Sequence, residues 1–292
     1  MNRMPNRWLS VIWLVAFTAA GCMDSPHPPA PRAAPPSAVR TEMIKDHEVV
    51  RPGRGFTLGI ELTIPPGRWI HWQDPGDGGE PTRVRLDLPE GCRAGRIRWP
   101  LPERLETPDG SVRFGYRDKT LLMVPIVADG SWQIGDRIEW SATVSWQSCP
   151  RPCRKVRKAL KGDIEVGYTT PSSEEARFRS WRDKIPSGPL DAGHLIDSTS
   201  VESLGDGRRR LGVDWKKPVS EVRLFPVVPK GLAFKVLNLV HEGRRSVVHY
   251  AVSKTGPKDR LKPFLRVLAT CRLEDGRRNG GWVMLPVADG GR

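Results

Sequence analysis

Five cysteines among 292 residues are too few for a disulfide-dense scaffold, so a cysteine pair that stands out needs its own explanation. Beyond the N-terminus no apolar run reaches 18 residues, which excludes membrane-crossing helices from the body of the chain. No recognised nucleic-acid-binding motif accompanies the basic residues, and nucleic acid is not expected as a partner. No Ser/His/Asp set, paired-carboxylate arrangement or Gly-rich phosphate loop stands at workable spacing, and Asp77-Gly78-Gly79 reads as a turn. Sequence repeats of 20 to 50 residues are also missing, which sets solenoids and propellers aside.

What is present points to strands and turns. Pro at 28 and Gly at 29 make up about a fifth of the chain, which favours many turns and few long helices. At this length two ordinary domains can each bury a core. With 47 Lys+Arg against 33 Asp+Glu the formal charge is +14, and the first 21 residues contribute only Arg3 and Arg7, leaving +12 in the remainder. The cations are scattered, with small clusters at Arg208-Arg209-Arg210 and Arg244-Arg245. Such a balance suits an anionic membrane surface or an acidic protein partner.

Residues 1–22 combine Arg3 and Arg7, an apolar stretch from Trp8 to Ala20, and Ala19-Ala20-Gly21-Cys22. This is the pattern of a secretory signal peptide. Small residues before a cysteine resemble a bacterial lipobox, with Cys22 the expected lipidation site, although Ala19 stands where such boxes more often have Leu. Ordinary cleavage that leaves Cys22 a free thiol is the alternative. The lipobox reading places the mature chain in the periplasm or cell envelope, held to a membrane by lipid. Residues 23–46 begin with a Pro-rich run and are expected to act as an extended tether. Export would place the cysteines in an oxidising compartment, where a bridge can persist.

Short strands then recur: Phe56 to Leu62, Arg83 to Leu88, Arg96 to Trp99, Thr120 to Val127, Arg137 to Gln147 and Gly162 to Tyr168. Turn signals such as Pro65-Pro66-Gly67 and Asp109-Gly110 separate them. The expected fold class is all-β, an antiparallel sandwich over residues 47–171. A helix is predicted from Ser173 to Lys184 within a 172–187 linker, with Ser172 or Ser173 as cap and Pro186 beyond its end. A second β-rich domain is predicted over 188–292, with strands at Arg209 to Trp215, Ser220 to Pro226, Ala233 to Val240, Ser246 to Ser253, Phe264 to Arg272 and Gly281 to Val287.

The candidate site is the stretch Trp146-Gln147-Ser148-Cys149-Pro150-Arg151-Pro152-Cys153. Ile138, Trp140, Ala142, Val144 and Trp146 alternate with polar residues, as in a half-buried strand. Pro150 and Pro152 remove two backbone donors and end the ladder. A straight strand would hold the two cysteine Cα atoms about 13 Å apart, whereas a bridge needs no more than about 7 Å, so only a turn can pair Cys149 with Cys153. Thiol exchange needs a reachable thiolate and a second sulfur to resolve the mixed disulfide. Arg151, Arg154 and Lys155 would favour a thiolate here. The competing reading is a structural disulfide that staples a strand end.

The other candidates are less constrained. Four mature cysteines besides Cys22 allow three full pairings. Cys92 lies in an expected turn, and Cys271 in an apolar strand reads as a small buried residue; a bridge between them would tie the two domains. Trp69 and Asp74 could line a cleft and Tyr116 could cap the cysteines, although core packing is the better reading for the tryptophans. Strand parity with Trp72 points His71 toward solvent. No metal site is expected, because zinc takes four ligands and no Met or His lies in the cysteine loop. No cofactor is implied.

Three stretches together resemble a known family: Gly67 to Pro81 (GRWIHWQDPGDGGEP), Ile97 to Arg104 (IRWPLPER), and Phe114-Gly115-Tyr116 ahead of Trp146 to Cys153. In order and spacing they are similar to the periplasmic N-terminal domain of the DsbD-type thiol:disulfide interchange proteins, in the branch of the copper-sensitivity suppressor membrane reductases. The helix and Val222 to Pro226 extend the likeness to roughly 47–288. The resemblance implies an immunoglobulin-like fold with Cys149 and Cys153 as the redox pair. It implies electrons received from a membrane-embedded disulfide reductase domain and passed to periplasmic thioredoxin-like or other thiol proteins, in a process such as cytochrome c maturation or copper tolerance. This chain carries neither the polytopic membrane domain nor the thioredoxin-like domain of that architecture, so it is expected to relay electrons delivered by another protein. Arg154-Lys155 stands where relatives often have Ile-Pro. The rival expectation is a non-catalytic envelope binding module with a structural disulfide.

Overall fold

A computed structural model describes residues 38–150, 152–188, 194–255 and 264–287. The expected signal peptide, Cys22, the Pro-rich run up to residue 37, and Arg151 lie outside the described residues.

The first half of the chain runs through β1 (Arg40–Lys45), β2 (His47–Val50), β3 (Gly55–Thr63), β4 (Trp69–Gly76), β5 (Arg83–Asp87) and β6 (Cys92–Ala94). It continues through β7 (Glu103–Glu106), β8 (Val112–Tyr116), β9 (Lys119–Ala128), β10 (Arg137–Cys149), β11 (Arg154–Val166), β12 (Thr170–Pro171) and helix α1 (Glu175–Arg182). One sheet has the order β1-β3-β9-β6; the other has β12-β2-β11-β10-β4-β8-β7, with β5 also on β10. These two sheets form an immunoglobulin-like sandwich. Its core alternates along the strands as period-two patterning requires. Phe56, Leu58, Ile60 and Leu62 from β3 meet Ile138, Trp140, Val144 and Trp146 from β10, all buried.

The second half comprises β13 (Ile196–Gly205), β14 (Arg208–Trp215), β15 (Ser220–Val227), β16 (Leu232–Glu242), β17 (Arg245–Lys254), β18 (Phe264–Arg272) and β19 (Arg278–Pro286). Sheets β13-β14-β17-β16 and β15-β18-β19 enclose a core that includes Leu211, Val213, Trp215, Val248, Tyr250, Val267 and Leu285. The two sandwiches share apolar contacts. Trp72 stacks on Trp282 at 6.0 Å between ring centres, and Phe114 meets Phe225 edge-on at 4.9 Å.

The α1 segment is shorter than the expected helix. Ser172 serves its N-terminus by accepting from the Glu174 N–H at 3.1 Å while donating to the Lys45 carbonyl at 2.6 Å. Phe178 and Trp181 bury one face against Ile44, Leu121 and Met123. Gly59 makes that approach possible, since a Cβ there would lie 2.8 Å from both Phe178 and Ile44.

Three sequence expectations change. Residues 40–45, placed in the tether, form β1 and pair with β3 from Arg40↔Thr63 to Lys45↔Leu58. Arg96 to Trp99 forms no strand but a single bridge, Arg98↔Met123, because Pro125 of β9 accepts from the Gly95 N–H at 2.7 Å but has no N–H to give in return, and Pro100 follows on the other side. The strand expected from Gly162 begins at Arg154 instead, since Arg154 to Lys161 gains its partners from β10 across an unbroken register, Ser148↔Arg154 to Ser141↔Lys161.

Candidate functional site

Strands β10 and β11 form one long hairpin, and the two prolines end the first arm where expected, with Cys149 its last residue and Arg154 the first of the return arm. Between them Cys149 and Cys153 form a disulfide, with sulfurs 2.04 Å and Cα atoms 4.3 Å apart. The sulfurs have unequal surroundings: Cys149 is 2% exposed, whereas Cys153 is exposed on the tip.

Cys149 is fixed from the side by β4, through the pairs Ser148↔Ile70 and Cys149↔Trp69. Arg68 reinforces this junction, donating through Nε to Ser148 Oγ at 2.9 Å and through Nη2 to the Ser148 carbonyl at 3.2 Å. The disulfide opens on a hollow of about 500 Å³. Trp69, His71 and Gln147 form one wall beside Cys149; Thr107, Pro108, Asp109 and Arg113 face them.

Both walls are held by hydrogen bonds. The Gln147 side-chain carbonyl accepts from the Glu80 N–H at 2.9 Å, and Lys155 pairs with the Glu80 carboxylate, so the loop after β4 is tied to both arms of the hairpin. Opposite, Asp109 accepts from the Ser111 N–H at 3.1 Å and from the Thr107 and Ser111 hydroxyls at 2.5 and 2.6 Å. Those donors hold the Asp109 carboxyl well below the usual carboxylate range. The two walls meet where Asp77 and Val112 exchange hydrogen bonds, Asp77 N–H to the Val112 carbonyl at 2.9 Å and Val112 N–H to Asp77 Oδ2 at 2.8 Å.

His71 corrects the parity expectation: it is 1% exposed rather than facing solvent. Its Nδ1 lies 3.1 Å from the Glu80 carbonyl, and a carbonyl only accepts, so Nδ1 carries the hydrogen. Nε2 is then the lone-pair nitrogen, and it is buried without a hydrogen-bond partner. Burial lowers the ring pKa to about 4, with the Arg113 charge acting in the same direction and the Glu80 bond opposing it. The imidazole is therefore neutral at pH 7. Gly79 lies against it with φ +97°, and a Cβ there would stand 2.5 Å from His71 Cε1.

The remaining candidates separate. Trp69 lines the hollow, half-buried. Tyr116 does not cap the disulfide; it is buried in the core and donates its hydroxyl to the Pro100 carbonyl at 2.8 Å. The Thr107–Asp109 turn, not Tyr116, lines the hollow together with the disulfide. Asp74 also lies elsewhere, accepting from Gly76 N–H at 3.0 Å and from Val228 N–H of the second sandwich at 2.9 Å. It joins the two sandwiches, and burial raises its carboxyl pKa. Cys92 and Cys271 are both free, so they form no bridge. Cys92 belongs to β6 rather than a turn, paired with Ala128. Sequence reasoning missed Thr107, Arg113 and Gln147 as site residues; the Asp109-Gly110 turn signal and the inclusion of Gln147 in the cysteine stretch were the available clues.

Fold and site together define an immunoglobulin-like domain that presents a cystine at a hairpin tip, one sulfur buried and the other exposed. Residues 40–160 match the family model of the thiol:disulfide interchange protein DsbD, N-terminal, and this stretch is a DsbD-type N-terminal domain. Among solved structures the chain is similar to the N-terminal periplasmic domain of ScsB from Proteus mirabilis, at 14% identity and a TM-score of 0.62, covering 86% of this chain and 94% of that one. That likeness concerns the fold. The major pilin subunit of Bacillus cereus matches at 10% identity with a TM-score of 0.25, covering 86% of this chain and 67% of that one. No curated protein matches the chain. Among the described residues no helix is long and apolar enough to cross a membrane.

Proposed function

We propose that this protein relays electrons by thiol–disulfide exchange through Cys149 and Cys153, between a membrane-embedded reductase and thiol proteins of the periplasm, while anchored by lipid at Cys22. In this reading residues 47–171 are the redox domain, 172–187 the joint and 188–292 a second domain, and the substrates belong to processes such as cytochrome c maturation or copper tolerance. The observation that carries the proposal is the inequality of the two sulfurs, one exposed at the hairpin tip and one buried against β4.

The exposed sulfur is the one an incoming thiolate can reach. A reductase thiolate attacks Cys153 Sγ, the Cys149–Cys153 bond breaks, and Cys149 leaves as a thiolate that takes up a proton. The second reductase thiolate then attacks its own sulfur in the mixed disulfide and releases Cys153, leaving this protein reduced by two electrons and the reductase oxidised. In the second half-reaction the Cys153 thiolate attacks a substrate disulfide and expels one substrate thiolate. Cys149, deprotonated, attacks Cys153 Sγ, releases the other substrate thiol and restores the bridge. Arg154 at the tip favours the thiolate form of Cys153 by its charge.

The test is a trap. In a Cys149→Ser variant the resolving sulfur is gone, so incubation with an oxidised thioredoxin-like protein should leave a covalent adduct through Cys153 that a reductant dissolves. Cys153→Ser should give no adduct. If neither variant forms one while both remain folded, the pair is a staple and the proposal fails.

A further inference from the structure

The positive charge of the chain has a second concentration that thiol exchange does not use. A cleft of about 550 Å³ lies where the two sandwiches meet. Arg96 and Arg98 line it from the segment before Pro100, Arg266 lines it from β18, and Trp99 and Trp282 contribute indoles. The Arg98 backbone is fixed by two bonds to Met123, at 2.8 and 3.2 Å. The Arg266 guanidinium stands 4.1 Å above the Trp282 ring, and Trp282 is backed on its own account by Trp72.

Among the described residues no Asp or Glu lines the cleft, and the guanidiniums of Arg96, Arg98 and Arg266 enter no ion pair or side-chain hydrogen bond. Gln73, on β4, also lines it, and its amide Nε2 is buried without an acceptor. Burial pushes the Arg266 pKa down, and the nearby Arg96 charge adds to the effect. Partly burying an unpaired cation and a donor amide is unfavourable unless an anion completes the site.

We infer that this cleft binds a phosphate group, held by the forks of Arg96, Arg98 and Arg266 with the Gln73 amide as a further donor. A carboxylate offers one negative charge and two oxygens, enough for a single fork, whereas a phosphate offers more acceptor oxygens and up to two charges for three guanidiniums. The group can be free phosphate or the headgroup of an anionic phospholipid.

The test uses the whole chain at low ionic strength, titrated calorimetrically with inorganic phosphate and, separately, mixed with phosphatidylcholine vesicles with and without phosphatidylglycerol. Arg266→Gln should weaken binding of at least one probe by tenfold or more, and exposed Arg96→Gln, which leaves the core untouched, should weaken it by a smaller factor. Arg208→Gln, a cation change on β14, should leave it unaltered. Dependence on Arg266 with free phosphate identifies a soluble ligand; dependence only with phosphatidylglycerol vesicles identifies the headgroup. The inference is overturned if both cleft variants bind like the unaltered protein, if neither probe binds, or if acetate binds as tightly as phosphate. Because Cys149 and Cys153 are outside this cleft, the result is independent of any thiol exchange.

Discussion

Cys149 and Cys271 lie on inner strands of the two sandwiches, and each is 2% exposed. Yet Cys149 is bridged at the mouth of a hollow while Cys271 is a lone thiol. The difference is the position along the strand. Cys149 ends β10, where Pro150 and Pro152 force a turn that brings Cys153 back to it. Cys271 is paired with Asn279 inside the β18–β19 ladder, so no other sulfur reaches it. Burial pushes the Cys271 thiol up to about 12, which keeps it protonated and unreactive at neutral pH. Burial alone therefore does not decide what a cysteine does; what decides it is whether the chain turns at that point.

The comparison can be broken first at the cysteines themselves. Cys153→Ser should abolish exchange with a thioredoxin-like partner, while Cys271→Ser should leave exchange intact and cost about 1–3 kcal/mol of stability, because a hydroxyl replaces a thiol in an apolar site. Urea unfolding and a coupled exchange assay on the same samples separate the two effects. Loss of exchange in Cys271→Ser protein that remains folded would erase the distinction.

A second contrast concerns pH, since the hollow contains a buried neutral histidine and the Cys271 site contains none. The His71 pKa is about 4 when folded against 6.5 as a free side chain, so between those values the unfolded chain binds a proton that the folded chain does not. Its contribution is fully favourable above 6.5 and is lost as the pH falls toward 4, by on the order of 3 kcal/mol. His71→Asn should flatten the drop in unfolding free energy between pH 7 and pH 4.5 relative to the unaltered protein; equal drops in both would contradict the burial argument.

The smallest expected effect is at Gly79, where φ is +97° and a Cβ would press on His71 and on Gln147. Gly79→Ala should cost about 1–3 kcal/mol and displace the wall beside Cys149, lowering the exchange rate. An unchanged melting temperature would show that the loop after β4 is free to move.

Local features of this molecule were readable from sequence, and long-range ones were not. The alternation of β10, the two prolines and the cysteine spacing lie within a few residues of one another, and the bridge they predict forms. His71 was misplaced because parity assumes one wet face. In β4 Trp72 enters the shared core while the Gly79–Glu80 loop covers the opposite face, and that loop is tied through Gln147 and Lys155 to the hairpin, far along the chain. Tyr116 was misassigned for a related reason: its pairing with Ile70 and its bond to Pro100 depend on segments far in sequence from the cysteines. Strand β13 escaped notice because its residues are largely polar and exposed, so it extends only through pairing with β14.

The central claim is that the Cys149–Cys153 bridge is exchanged in the folded protein. The most direct measurement treats the native, oxidised chain with a reduced thioredoxin-like protein, alkylates it without denaturant, and maps the modified cysteines by mass spectrometry. The account predicts rapid labelling at Cys153, slower labelling at Cys149, and none at Cys271. A bridge that becomes reducible only after unfolding would contradict it.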